Sequence, residues 1–142
     1  MEYISHSEQE TMEFATNISK KLTGGEVITL SGDLGAGKTV FAKGIAKGLG
    51  ITQTVVSPTF TIMCCYSGGR LKLNHFDMYR LSSGVEAEEF GFSEYILDKT
   101  SVSLIEWAEN VSSILPPNAI KINIEKIDEN TRKIVVKEWE HW

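Results

Sequence analysis

The chain has 142 residues, 42% hydrophobic and 23% charged, with a formal net charge of −5. That length suits one compact unit over residues 1–142, and the composition is that of an ordinary soluble globule, not of a disordered or membrane protein. No apolar run approaches the ~20 residues of a membrane-crossing helix. Residues 1–6 have neither the basic segment nor the apolar stretch of a signal peptide, so a cytoplasmic location is expected. The acidic balance and only three arginines (Arg70, Arg80, Arg132) argue against strong direct nucleic-acid binding. Any RNA involved is expected to be held by another protein.

Ser7-Glu8-Gln9-Glu10 has capping-box spacing, and Met12, Ala15, Ile18 and Leu22 continue it as one face of a helix that ends at Gly24-Gly25. Residues 26–30 form an apolar run of strand length. A glycine-rich segment follows, and then Phe41, Ile45 and Leu49 recur at helical spacing. Gly44 and Gly48 weaken that helix by up to ~1 kcal/mol each relative to alanine, so tertiary packing is expected to hold it. Residues 59–66 and 71–77 read as two strands joined by Ser67-Gly68-Gly69-Arg70, an antiparallel hairpin. The only cysteines, Cys64 and Cys65, are neighbours on the first of these strands and point to opposite faces. They are expected to be buried or half-buried free thiols, not a disulfide or a zinc site.

Two short helices, 85–90 and 93–97, are split by Gly91, and a buried strand over 101–105 ends at Glu106. A short helix then runs to Pro116-Pro117. Residues 120–127 and 131–138 form a second hairpin around Asp128-Glu129-Asn130, and Trp139 and Trp142 read as packing or tail residues. The sum is an α/β fold: a mixed β-sheet flanked by helices, with antiparallel hairpins, around one phosphate-binding loop.

Residues 32–39, Gly-Asp-Leu-Gly-Ala-Gly-Lys-Thr, satisfy the P-loop pattern in the required strand–loop–helix setting. Such a loop turns backbone N–H groups from Asp33, Leu34, Gly35, Ala36 and Gly37 toward a phosphate chain, with Val40 just beyond. Lys38 is expected at the β- and γ-phosphates and the Thr39 hydroxyl on Mg²⁺. Hydrolysis needs further groups, and three segments offer them. Ser57-Pro58-Thr59 reads equally as a γ-phosphate-sensing switch or as a turn before a strand. In His75-Phe76-Asp77-Met78-Tyr79-Arg80, Asp77 could hold Mg²⁺ directly or through water, and His75, on the same strand face, could orient water or another carboxylate. Glu106 closes an apolar strand in the manner of a Walker B acid, and could reach the metal's water shell or polarise the attacking water. Trp107 beside it is either core or part of a partner-facing surface.

These segments, with Leu-Ile-Glu-Trp-Ala-Glu at 104–109, occur in the order and spacing of a known family: the chain resembles the TsaE (YjeE) family of bacterial P-loop ATPases over nearly its whole length. The resemblance implies ATP and Mg²⁺ as ligands, and a role in making threonylcarbamoyladenosine in tRNA. It implies TsaD and TsaB as partners, with tRNA reached through their complex and ATP hydrolysis resetting it. By the same resemblance, Lys38 and Thr39 are the loop's lysine and Mg²⁺ ligand, and Thr59 is the switch threonine. Asp77 and Glu106 are the catalytic acids, with Trp107 adjoining, and Ser7, Glu8 and Thr11 lie near the nucleotide base. Two positions depart from the family's usual pattern: Ala108 stands for proline, and Val40 for Thr or Ser. They bear on the geometry after Glu106 and on a secondary phosphate-side contact.

Three other functions fit parts of the chain. A small-molecule kinase would need an arginine-bearing lid that is not evident. A GTPase-like switch would need an Asn-Lys-x-Asp guanine reader, and none occurs. A nucleotide-gated binding module with incidental hydrolysis shares every motif. Slow hydrolysis by the isolated protein is expected, because the charge of the transition state needs an arginine, which Arg80 or a partner would supply.

Overall fold

The computed structural model describes residues 1–58 and 62–139. Strands β1 (Glu2–Ser5), β2 (Val27–Ser31), β3 (Met63–Tyr66), β4 (Lys72–Asp77), β5 (Ser101–Glu106), β6 (Ile120–Lys126) and β7 (Arg132–Lys137) form one sheet in the order β1-β7-β6-β2-β5-β4-β3. At its centre β2 runs parallel to β5 and β6, and β5 runs parallel to β4. The outer pairs β3–β4, β6–β7 and β1–β7 are antiparallel. The expected mixed sheet with two hairpins is therefore present.

Helices α1 (Glu8–Ser19) and α2 (Lys38–Gly48) cover one face of the sheet. Helices α3 (Gly84–Glu89) and α4 (Phe92–Ile96) and a 3₁₀ segment, Ala108–Ile114, cover the other. Alternation along the strands decides which side chains meet which layer. Ile28, Leu30, Leu104, Ile122 and Ile124 face α1 and α2, whereas Val27, Phe76 and Ile105 face the second layer. Phe41, Ile45 and Leu49 are fully buried, as their spacing required, and each contributes about 1.5–3 kcal/mol by leaving water.

The first helix starts where its capping box predicts. Ser7 Oγ accepts from the Glu10 N–H at 3.0 Å, and the Glu10 carboxylate reaches back to accept from the His6 N–H at 2.7 Å, one residue earlier than in the ideal box. The weak residues of α2 have a packing reason. A Cβ on Gly48 would lie 2.5 Å from the Ser19 Cβ and 2.6 Å from the Thr16 carbonyl oxygen, so glycine is what lets α1 lie against α2. That contact is sealed by Thr16 and Ser19, whose hydroxyls donate to the carbonyls of Gly44 and Ile45.

Two local expectations change. Cys64 is half-buried as expected, but Cys65 is exposed, because it sits on the outward side of β3, an edge strand. Residues 2–5, read only for a targeting signal, form β1. That strand is four residues long and is held by β7, a partner at the far end of the chain. No helix among the described residues is long and apolar enough to cross a membrane.

Candidate active site

The glycine-rich loop joins β2 to α2, and the approach of β6 sets its shape. A Cβ on Gly32 would lie 2.5 Å from the Ile124 carbonyl oxygen, so any side chain there would push the loop off the sheet. Gly37 is the N-cap of α2 in the left-handed region (φ 106°), and the first turn of that helix carries no acidic residue. The positive end of the helix dipole is therefore left for an anion. Leu34 at the loop's tip is fully exposed.

Strand parity brings the predicted acids to this loop. Asp77 pairs with Glu106, and Leu30 pairs with Glu106 from the other side. His75, two residues before Asp77, lies on the same face. The Glu106 carboxylate is nearly buried and sits between two groups. Lys38 Nζ is 3.6 Å from Oε1, and His75 Nε2 is 2.8 Å from Oε2. Since an ionised carboxylate only accepts, His75 donates through Nε2–H. His75 is fully buried, and its Nδ1 has no hydrogen-bond partner among the described residues. Burial pushes the Glu106 carboxyl up, but the His75 hydrogen bond and the electrostatic pull of His75 and Lys38 outweigh it and hold the group below the ordinary carboxylate value. Of the two partners expected for His75, water or another carboxylate, the described contact is with a carboxylate, that of Glu106.

That balance makes a measurable pH dependence. A carboxylate with a depressed pKa contributes its pairing energy above the ordinary value and loses it as pH falls through the lowered one. In His75→Phe, burial is opposed by Lys38 alone, so the Glu106 pKa rises. The titration of the Glu106 carboxyl, followed by NMR of its side-chain carbon, is then expected to move to higher pH. A titration that stays where the parent has it would show that His75 does not hold Glu106.

Thr39 Oγ1 lies 2.9 Å from Ser57 Oγ, which places the Ser57 segment against the start of α2. Thr59 lies outside the described residues. Asp77 is half-buried and its Oδ1 accepts from the Tyr79 N–H at 2.9 Å. That bond turns the chain beyond β4 and leads to Arg80 in an exposed turn. Trp107 adopts a left-handed conformation (φ 58°) directly after Glu106 and packs on Tyr79 with ring centroids 5.0 Å apart, both rings partly exposed. Ala108, at the position that departs from the family pattern, is buried and opens the 3₁₀ segment. Asn110 pins that segment by donating to the Met78 carbonyl at 3.0 Å.

A cavity of about 190 Å³ opens on the loop's other side, lined by Ser7, Glu8, Thr11, Val40, Asn130 and Arg132 among others. Sequence reasoning placed Thr11 and Val40 near a nucleotide, but it missed Arg132. Nothing local singles out an arginine that opens a hairpin strand, and its partners on the loop are nearly a hundred residues away.

The same chain features recur in known proteins. Residues 5–134 match the family model described as "Threonylcarbamoyl adenosine biosynthesis protein TsaE". A protein of Treponema pallidum named tRNA threonylcarbamoyladenosine biosynthesis protein TsaE is 41% identical over 136 residues, covering 96% of this chain and 99% of its own. The protein of that name from Bacillus subtilis is 47% identical over 110 residues, covering 78% of this chain and 68% of its own. The crystal structure of B. subtilis YdiB superposes with a TM-score of 0.81 at 37% identity, covering 94% of this chain and 82% of that one. With the family model matched over residues 5–134 and relatives of that name 41% and 47% identical over most of the chain, the chain belongs to the TsaE family.

Proposed function

We propose that this protein binds ATP with Mg²⁺ at the glycine-rich loop and hydrolyses it slowly, and that hydrolysis serves the TsaD–TsaB complex in the cytoplasmic threonylcarbamoyladenosine modification of tRNA. The observation that carries the reading is the Lys38–Glu106–His75 cluster at the mouth of the loop. A cation for the phosphates and an ionised, oriented carboxylate meet at one point, which is what attack of water on a γ-phosphate requires.

The residues present fit the metal. Thr39 offers a hydroxyl at the first turn of α2, and Asp77 and Glu106 end adjacent strands beside it. Thr39 would hold Mg²⁺, with the two acids reaching it directly or through its water. When bound, Mg²⁺ neutralises charge building on the phosphate oxygens. Around it, Lys38 fixes the phosphates and Glu106 orients and polarises a water, with His75 keeping the carboxylate aimed.

Slow turnover by the isolated protein follows from where its arginines are spent. Arg70 donates to the carbonyls of Ser19 and Leu22, and Arg132 to carbonyls of the loop and the β6–β7 turn. Charge in the transition state would then be met by Arg80, in the turn beyond Asp77, or by a partner's side chain. The exposed Tyr79–Trp107 pair beside the acids gives a partner an aromatic surface to dock on. The test is ATP turnover by the purified protein alone and with TsaD and TsaB. Low activity that rises with both partners is expected. Equal turnover in all mixtures, with no co-elution in ATP, would overturn the coupling.

A further inference from the structure

We infer that Arg132 is a positioning residue that shapes the phosphate loop from outside, an inference that rests on the nucleotide-binding reading. Arg132 opens β7, and its guanidinium reaches across to the loop. Nε donates to the Ala36 carbonyl at 2.9 Å, and a terminal nitrogen donates to the Gly35 carbonyl at 3.3 Å. The other terminal nitrogen donates back into its own turn, to the carbonyls of Asp128 at 2.7 Å, Glu129 at 3.3 Å and Thr131 at 3.1 Å. All three nitrogens thus donate to carbonyl oxygens of the loop and of the β6–β7 turn.

Peptide geometry makes this consequential. In a trans peptide the C=O and the following N–H point in opposite directions, and the described residues contain no cis bond. Drawing the Ala36 carbonyl out toward Arg132 turns the Gly37 N–H the other way. The Gly35–Ala36 peptide is held at both ends: its carbonyl by Arg132, and its N–H by the Asp33 carbonyl at 3.0 Å. The Gly35–Ala36 and Ala36–Gly37 peptides are therefore oriented by contacts from outside the loop's phosphate-facing side. A loop with three positive-φ glycines in six residues (Gly32, Gly35, Gly37) has little stiffness of its own, so an external hold matters more here than in a helix or strand.

The turn behind Arg132 is itself braced. The Asp128 carboxylate accepts from the N–H groups of Asn130 at 3.0 Å and Thr131 at 2.9 Å, an Asx turn that fixes where β7 begins. The guanidinium also lines the cavity with Glu8, Thr11 and Asn130. A group entering there packs against the same side chain that orders the loop, so the two parts of the site share one support.

The test separates shape from charge by using a ligand without a base. Binding of inorganic tripolyphosphate and of ADP is measured by calorimetry for the parent, Arg132→Ala and Arg132→Lys, with amide hydrogen exchange followed at Ala36. Loss of two hydrogen bonds from a cation is expected to weaken tripolyphosphate binding by about tenfold or more in Arg132→Ala. Arg132→Lys, which keeps the charge but cannot span both carbonyls, is expected to stay nearer the alanine variant than the parent. Exchange at Ala36 is expected to quicken while the amides of the central strands keep their protection. Parent-like tripolyphosphate affinity in Arg132→Ala, or full rescue by lysine, would overturn the inference. A parent protein that binds neither ligand would instead overturn the nucleotide reading itself.

Discussion

Glu106→Gln is expected to leave Mg²⁺·ATP binding intact while lowering hydrolysis by ~100-fold or more, the range for loss of a positioned general base. The substitution keeps the side chain's size and an oxygen that can accept from His75 Nε2–H, so the buried contact survives. What it removes is the negative charge that draws a proton from water. The same charge faces the phosphates across Lys38, only 3.6 Å away. Its loss also relieves repulsion toward an anionic ligand, and the affinity for ATP is expected to hold or tighten. Steady-state kinetics with a calorimetric Kd for a slowly hydrolysed analogue separates the two effects. Turnover at the parent rate would remove Glu106 from the chemistry. Equal loss of binding and turnover would make it a structural residue.

Lys38→Ala should fail in the opposite way, at binding. It deletes the cation that the start of α2 aims into the loop, and leaves the buried Glu106 with His75 as its remaining partner and with no cation between it and the phosphates. Charge-assisted contacts of this kind contribute about 1.5–3 kcal/mol each, so ATP affinity is expected to fall on the order of a hundredfold. Hydrolysis is expected to fall below detection. Calorimetry gives the first and phosphate release the second. Unaltered affinity with undiminished hydrolysis would contradict the assignment of the loop. Together the two variants would divide the proposed site into a lysine that binds and a carboxylate that turns over.

Much of this site is legible in the sequence because its signals are local. A strand, a glycine-rich loop and a helix face lie consecutively in the chain, and Glu106 shows itself as a charge ending an apolar run. Parity along β4 put His75 and Asp77 on one side, and the sheet carried both to Glu106. Other features leave no local trace. The hold of Arg132 on the loop depends on β7 lying two strands from β2, which only the assembled sheet specifies. β1 has four residues and no turn signal of its own, so β7, not its own sequence, makes it a strand. The exposure of Cys65 follows from the edge position of β3, which is likewise a property of the whole sheet.

The sheet order also has a consequence for the chain as it is made. β2 carries the loop, yet its two neighbours are β5 and β6, and the side chain that braces the loop arrives only with β7. Met1 likewise waits for β7, since its nitrogen donates to the Val136 carbonyl at 2.9 Å. Pairings this distant form late, after the cost of closing long loops has been met. A half-synthesised chain therefore carries the complete phosphate-loop motif without the surroundings that give it shape. The shape of the loop therefore waits for β7, and a chain cut short before residue 132 would keep the motif but lack its brace.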